Sequence, residues 1–159
     1  MTITQRLECR ARDAVERCMI RHLILPTIFF DAPWPDDGAS VDMLLIDRAG
    51  TGDVHVVAIK RRAEQVRAAI PQLLKVPAQY RWIVFFADTV KPKIPAPRMN
   101  SSLLYPAKGM GRVGVIEVVR MSGLELGANI KVKSERFPGS FEEEVEQFLA
   151  GHKPDRAFR

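Results

Sequence analysis

Residues 40–62 read SVDMLLIDRAGTGDVHVVAIKRR, and no other stretch limits the fold as strongly. Two apolar runs rich in β-branched residues flank a short segment holding Gly50 and Gly52, the pattern of two strands joined by a tight turn. The first run carries a lone acid, Asp42. The second ends in a lone cation, Lys60, followed by Arg61 and Arg62. Charge within a strand is costly unless it is paired, metal-bound or at the rim of a site. A hairpin symmetric about Gly50 sets Asp42 opposite Ala58. Opposed residues share a face, and residues two apart on one strand share it too, roughly 7 Å apart. Asp42, Ala58 and Lys60 are therefore expected on one patch of one sheet face.

Around this hairpin the pattern alternates between helix and strand. Ile3, Leu7, Ala11, Ala14, Val15 and Cys18 mark the apolar stripe of a helix over 3–20, with Thr2 and Gln5 as its capping box. Glu8 falls at the edge of that stripe, whereas Asp13 and Glu16 fall well away from it, and Glu16 is expected in solvent. Residues 23–30 read as a strand interrupted by Pro26, hence an edge strand, a bulged strand or a strand end, and 31–40 as a loop. A helix follows over 63–76, which Pro71 should kink or split. The run YRWIVFFA at 80–87 suits a central strand buried on both faces and, across a helical crossover, parallel to one hairpin strand. Residues 88–112 are rich in proline and basic, which suits a ligand-binding loop or a solvated linker. Two strands are expected at 113–121 and 129–137, the latter an edge. A helix over 139–150, capped by Ser140 and Glu143, precedes a frayed tail.

The 159 residues suffice for a single domain spanning 1–159. Cys9 and Cys18 lie too far apart on one helix to bridge, and neither belongs to a metal-binding spacing. His22, His55 and His152 are scattered, and His55 alternates to the face opposite Lys60. Trp34 and Trp82 read as packing residues. No phosphate loop, nucleophile elbow or zinc-protease motif occurs. The N-terminal stretch has no apolar core like that of a signal peptide, and no run is long enough to span a bilayer, so a cytoplasmic protein without a membrane partner is expected. The net charge of +5 favours an anionic partner, nucleic acid first.

A helix bearing Glu8, a strand bearing Asp42, and a strand ending in Ala58-Ile59-Lys60, followed by a helix and a strand, resemble the PD-(D/E)XK nuclease superfamily over roughly residues 3–88. The resemblance implies an α/β restriction-endonuclease-like fold with an αβββαβ core: a mixed central sheet flanked by helices, here with additional C-terminal strands and a helix. It further implies Mg²⁺- or Mn²⁺-dependent phosphodiester hydrolysis. Asp42 and Glu8 would be metal ligands and Lys60 would stand beside the attacking water. Arg61, Arg62, Arg67, Lys91, Lys93 and Arg98 would hold phosphates, of DNA ahead of RNA.

The chain departs from the family at position 58, where an acid is normal and Ala58 stands. A methyl group cannot ligate Mg²⁺, so metal binding should be weak or absent. Three explanations fit. The domain is a non-catalytic relative that binds nucleic acid or protein. Or an acid at 58 was removed to inactivate an enzyme. Or the acid has moved, to Asp31 or Glu64. A structural Asp42–Lys60 salt bridge in an unrelated α/β domain is the simplest competing account. A protein-interaction role through the edge strand 129–137, including a homodimer, is a further alternative.

Overall fold

The computed structural model describes residues 2–36, 38, 40–61, 63–86, 111–122 and 125–157. Among them are three helices: α1 (Ile3–Ile20), α2 (Ala63–Leu73) and α3 (Glu142–Gly151). Seven strands form one mixed sheet: β1 (Thr27–Ala32), β2 (Val41–Ile46), β3 (Val54–Lys60), β4 (Tyr80–Phe86), β5 (Gly114–Ser122), β6 (Glu125–Val132) and β7 (Arg156–Ala157). The spatial order is β6-β5-β4-β3-β2-β1-β7. Strands β1, β2 and β3 form an antiparallel meander. After α2 the chain returns as β4, parallel to β3, and β5 is parallel to β4.

Helices cover both faces. The apolar stripe of α1 (Leu7, Ala11, Ala14, Val15, Met19) packs with Ile28, Met43, Leu45 and Val57. On the other face, Val66, Ala69, Ile70 and Leu73 of α2 and Val145 and Phe148 of α3 pack with Phe29, Leu44, Val56 and Ile83. Alternation along the strands separates the two sets, as a period of two requires. The Thr2–Gln5 capping box is present at the start of α1. Strand β4 is central and its Trp82, Ile83 and Val84 are buried on alternate faces.

Several details differ from the sequence expectations. Pro26 stands just before β1 and not inside it, and β1 runs two residues further, through Asp31 and Ala32. Pro71 does not split α2; it lies in the last turn, and α2 ends at Leu73. The edge strand begins at Glu125 and stops at Val132 rather than covering 129–137. Beyond it the chain leaves the ladder because other partners take its groups. Phe137 N–H donates to the Gln79 carbonyl at 2.7 Å, and Arg136 binds Asp53 through Nε and Nη2, each at 3.0 Å. Helix α3 starts at Glu142, with Phe141 at its N-cap making no side-chain cap bond, so the Ser140–Glu143 box does not form. Glu16 is buried, not solvated, because Arg156 Nε lies 3.4 Å from its Oε1. The tail is not frayed through 157: Asp155 N–H donates to the Ile28 carbonyl, its carboxylate accepts from Phe30 N–H at 2.8 Å, and β7 pairs with β1. The basic segment expected over 88–112, with Lys91, Lys93 and Arg98, lies outside the described residues up to position 110. Among the described residues no helix is long and apolar enough to cross a membrane.

His55 is buried on the α1 face, as the alternation from Lys60 anticipates. Its Nδ1 accepts the Trp82 indole N–H at 3.1 Å, and its ring stacks on Tyr80 with centroids 4.4 Å apart. Burial lowers its pKa to about 4, against a smaller opposing pull from Asp53. Between that value and the unfolded value near 6.5, only the unfolded chain takes up the proton, so stability falls as pH falls through this window. The loss from pH 7 to pH 4 should reach about 3 kcal/mol from this residue. Urea titrations at both pH values should show a smaller loss for His55→Gln, which keeps an acceptor for the indole without a titrating ring.

Candidate functional site

The β2–β3 hairpin is in the register expected from a turn centred on Gly50: Met43 pairs with Val57, Leu44 with Val56, Leu45 with His55 and Ile46 with Val54. Asp47 builds the turn. Its backbone carbonyl accepts from the N–H groups of Gly50 and Gly52, and its Oδ1 accepts from Ile24 N–H at 2.9 Å. A side chain at Gly50 would have to displace the Asp47 carboxylate, and Gly52 has φ +78°, a conformation that favours glycine.

One step beyond Met43 and Val57, this register sets Asp42 opposite Ala58 at the end of the sheet. Asp42 Oδ2 accepts the Ile59 N–H at 2.6 Å and lies 3.9 Å from Lys60 Nζ. The carboxylate thus caps the end of β3 from the start of β2. The Ala58 methyl packs against the core on the α2 side.

Two clefts meet at this end of the sheet. The first, of about 600 Å³, lies on the α1 side and is lined by Gln5, Glu8, Cys9, Arg12, Asp31, Asp42, Ile59, Lys60, Arg61 and Gln65. The second, of about 460 Å³, lies on the α2 side and includes Val41, Asp42, Ala58, Lys60, Gln72 and Lys75. Asp42 and Lys60 belong to both and form the ridge between them.

The structure brings Glu8, Asp42, Lys60 and Arg61 into one cleft, and Ala58 into the adjoining one. Glu8 Oε1 lies 3.3 Å from Arg61 Nη1, and Gln65 Oε1 accepts from the Arg61 N–H. Arg67 is exposed on α2 and lines neither cleft. Arg62 and the Glu64 side chain lie outside the described residues, as do Lys91, Lys93 and Arg98. Asp31, named as one alternative acid, does line the first cleft, at the register position opposite Asp42. Its φ of +47° is unusual for a strand residue, though aspartate tolerates it better than most.

Sequence reasoning missed Gln5, Cys9, Arg12 and Gln65. The signal for Arg12 was available: it stands four residues after Glu8, and such residues share a helix face. Its guanidinium carbon sits 4.1 Å from the centre of the Phe30 ring, and its buried Nε has no hydrogen-bond partner among the described residues.

Mg²⁺ requires a near-octahedral set of oxygen ligands. Among the described residues no group of three or more His, Cys, Asp or Glu side chains could hold a metal ion. Glu8 faces Arg61, Asp42 faces Ile59 N–H and Lys60, and position 58 offers no oxygen. Glu8, Asp42 and position 58, the places the resemblance names, thus present no metal-binding set among the described residues.

Since Asp42 accepts a backbone N–H, its removal should destabilise the hairpin even without a ligand. Asp42→Ala is expected to cost about 1–3 kcal/mol in urea denaturation, as for a hydrogen bond to a charged group, with Asp42→Asn recovering most of it.

No family model matches the chain, and no curated protein matches it. It is similar to the solved structure of a protein of unknown function from Silicibacter pomeroyi, at 14% sequence identity and a TM-score of 0.57. The likeness covers 89% of this chain and 82% of the other, and at that identity it speaks for a shared α/β fold alone.

Proposed function

We propose that this chain is a nuclease-like domain on a restriction-endonuclease-like core. It holds nucleic-acid phosphates at the end of β3 and, with Ala58 in place of an acid, does not hydrolyse them. One observation carries the reading: the β2–β3 register stands Asp42 opposite position 58, with Lys60 two residues on, where α1 brings Glu8 and β3 runs out into Arg61. The order α1-β1-β2-β3-α2-β4 supports it, being the αβββαβ sequence of that core.

Lys60 acts as a point charge toward a phosphate, and Arg61 offers a planar fork suited to two phosphate oxygens. Neither contact reads base sequence. A carboxylate at 58 would complete the metal-binding pair with Asp42. In its absence the site is left with cations and a capped strand end.

Substitution at 58 tests this directly. Ala58 lines the second cleft, so a longer side chain has an outlet. Ala58→Glu should gain Mg²⁺ or Mn²⁺ binding by calorimetry and cleave DNA or RNA in the presence of that ion. The unaltered chain should bind the same oligonucleotides without cleaving them, with an affinity that falls steeply as salt rises. Absence of binding to duplex and single-stranded DNA and RNA at low salt, with the fold intact, overturns the reading.

A second reading rests on β6, which ends the sheet and pairs only with β5 among the described residues. An open edge of this kind can accept a strand from a second copy. Light scattering that shows a dimer, with nucleic-acid binding absent, would favour it.

A further inference from the structure

Two cation–acid pairs line the first cleft. Arg61 reaches Glu8 of α1 through Nη1 at 3.3 Å, and Lys60 lies 3.9 Å from Asp42. The two acids are held differently. Asp42 is fixed from its own hairpin by the Ile59 N–H at 2.6 Å. The Glu8 side chain is 51% exposed on the rim of the cleft. Ion pairs this open to water contribute little, because solvent and salt compete for both partners. Phosphate can compete on better terms: it offers several oxygens to the planar guanidinium fork, and a bidentate charge-assisted contact is stronger than a single one. The Arg61 backbone is held by Gln65 Oε1 at 3.3 Å, and the Lys60 and Arg61 side chains both line the cleft.

From this geometry we infer that Glu8 is not a metal ligand but an intramolecular competitor for Arg61, occupying the place of a phosphate group that displaces it without any metal ion. The inference rests on the proposed nucleic-acid binding and concerns the role of Glu8 within that same site. It reverses the sign expected for the residue. Removal of a metal ligand weakens binding or activity, whereas removal of a competitor strengthens binding.

The experiment is fluorescence anisotropy of a labelled single-stranded oligonucleotide and its duplex at low salt, each with and without EDTA. The proteins compared are the unaltered chain, Glu8→Gln, Arg61→Gln and Glu146→Gln. Glu146 is an exposed acid on α3 and controls for the change in net charge. Glu8→Gln is expected to bind about two- to fivefold more tightly, the range open to an exposed ion pair, and EDTA should change nothing. Arg61→Gln should weaken binding at least as much, while Glu146→Gln should shift it far less than Glu8→Gln. Circular dichroism melts establish that each variant is folded. If Glu8→Gln binds no better than Glu146→Gln, or binds more weakly, the competitor role is overturned while nucleic-acid binding by the unaltered chain stands. If EDTA abolishes binding by the unaltered chain, metal-free displacement is overturned. If neither the unaltered chain nor Glu8→Gln binds, the proposed function falls and the inference falls with it.

Discussion

The carbonyl and carboxylate of Asp47 together close the β2–β3 turn and tie it to the chain entering β1. The site at the other end of the hairpin depends on that turn. Side chains alternate with a period of two, so a slip of one residue would move Asp42 or position 58 to the opposite face. The apolar pattern enforces the same register independently. Met43 and Val57 must meet α1, while Leu44 and Val56 must meet the core under α2 and α3. Turn chemistry and core packing thus agree, and their agreement makes the placement of Asp42, Ala58 and Lys60 a property of the fold rather than of a mobile loop.

How far the sequence could be read depended on where each signal originates. The hairpin, α1 and β4 were legible because hydrophobic periodicity and glycine placement are local, and here tertiary packing agrees with them. Beyond position 132 the alternating pattern continues through Ser134 and Glu135, yet the ladder ends. The deciding contacts come from far away: Asp53 for Arg136, and Gln79 for Phe137. The tail and Glu16 failed for the same reason. A buried glutamate on α1 makes sense only once Arg156 is known to lie against it, and no window of neighbouring residues contains both.

The candidate site was legible to a similar depth. Asp42 and Lys60 could be paired from the turn alone. The proximity of Glu8 to Arg61 could not, because it depends on how α1 crosses the sheet. The hydrogen bond from Ile59 to Asp42 was also out of reach, and it alters the chemistry most. It turns an apparently spare carboxylate into part of the strand's own hydrogen bonding. An acid in this position therefore has a structural occupation that selection can keep even where its partner acid is absent.

The two borders of the sheet are finished in different ways. At β1 the C-terminal segment adds the two-residue β7, and Asp155 takes up the Phe30 N–H that would otherwise face outward. An incoming strand finds that border already filled over its first residues and faced by a carboxylate. At β6 no further strand is paired among the described residues, and Lys131 and Lys133 are exposed along the border. Exposed lysines on an edge strand discourage uncontrolled edge-to-edge pairing with another sheet. Among the described residues, the two borders thus differ in kind: one is closed from within the chain by paired backbone, the other carries charge in place of a covering strand.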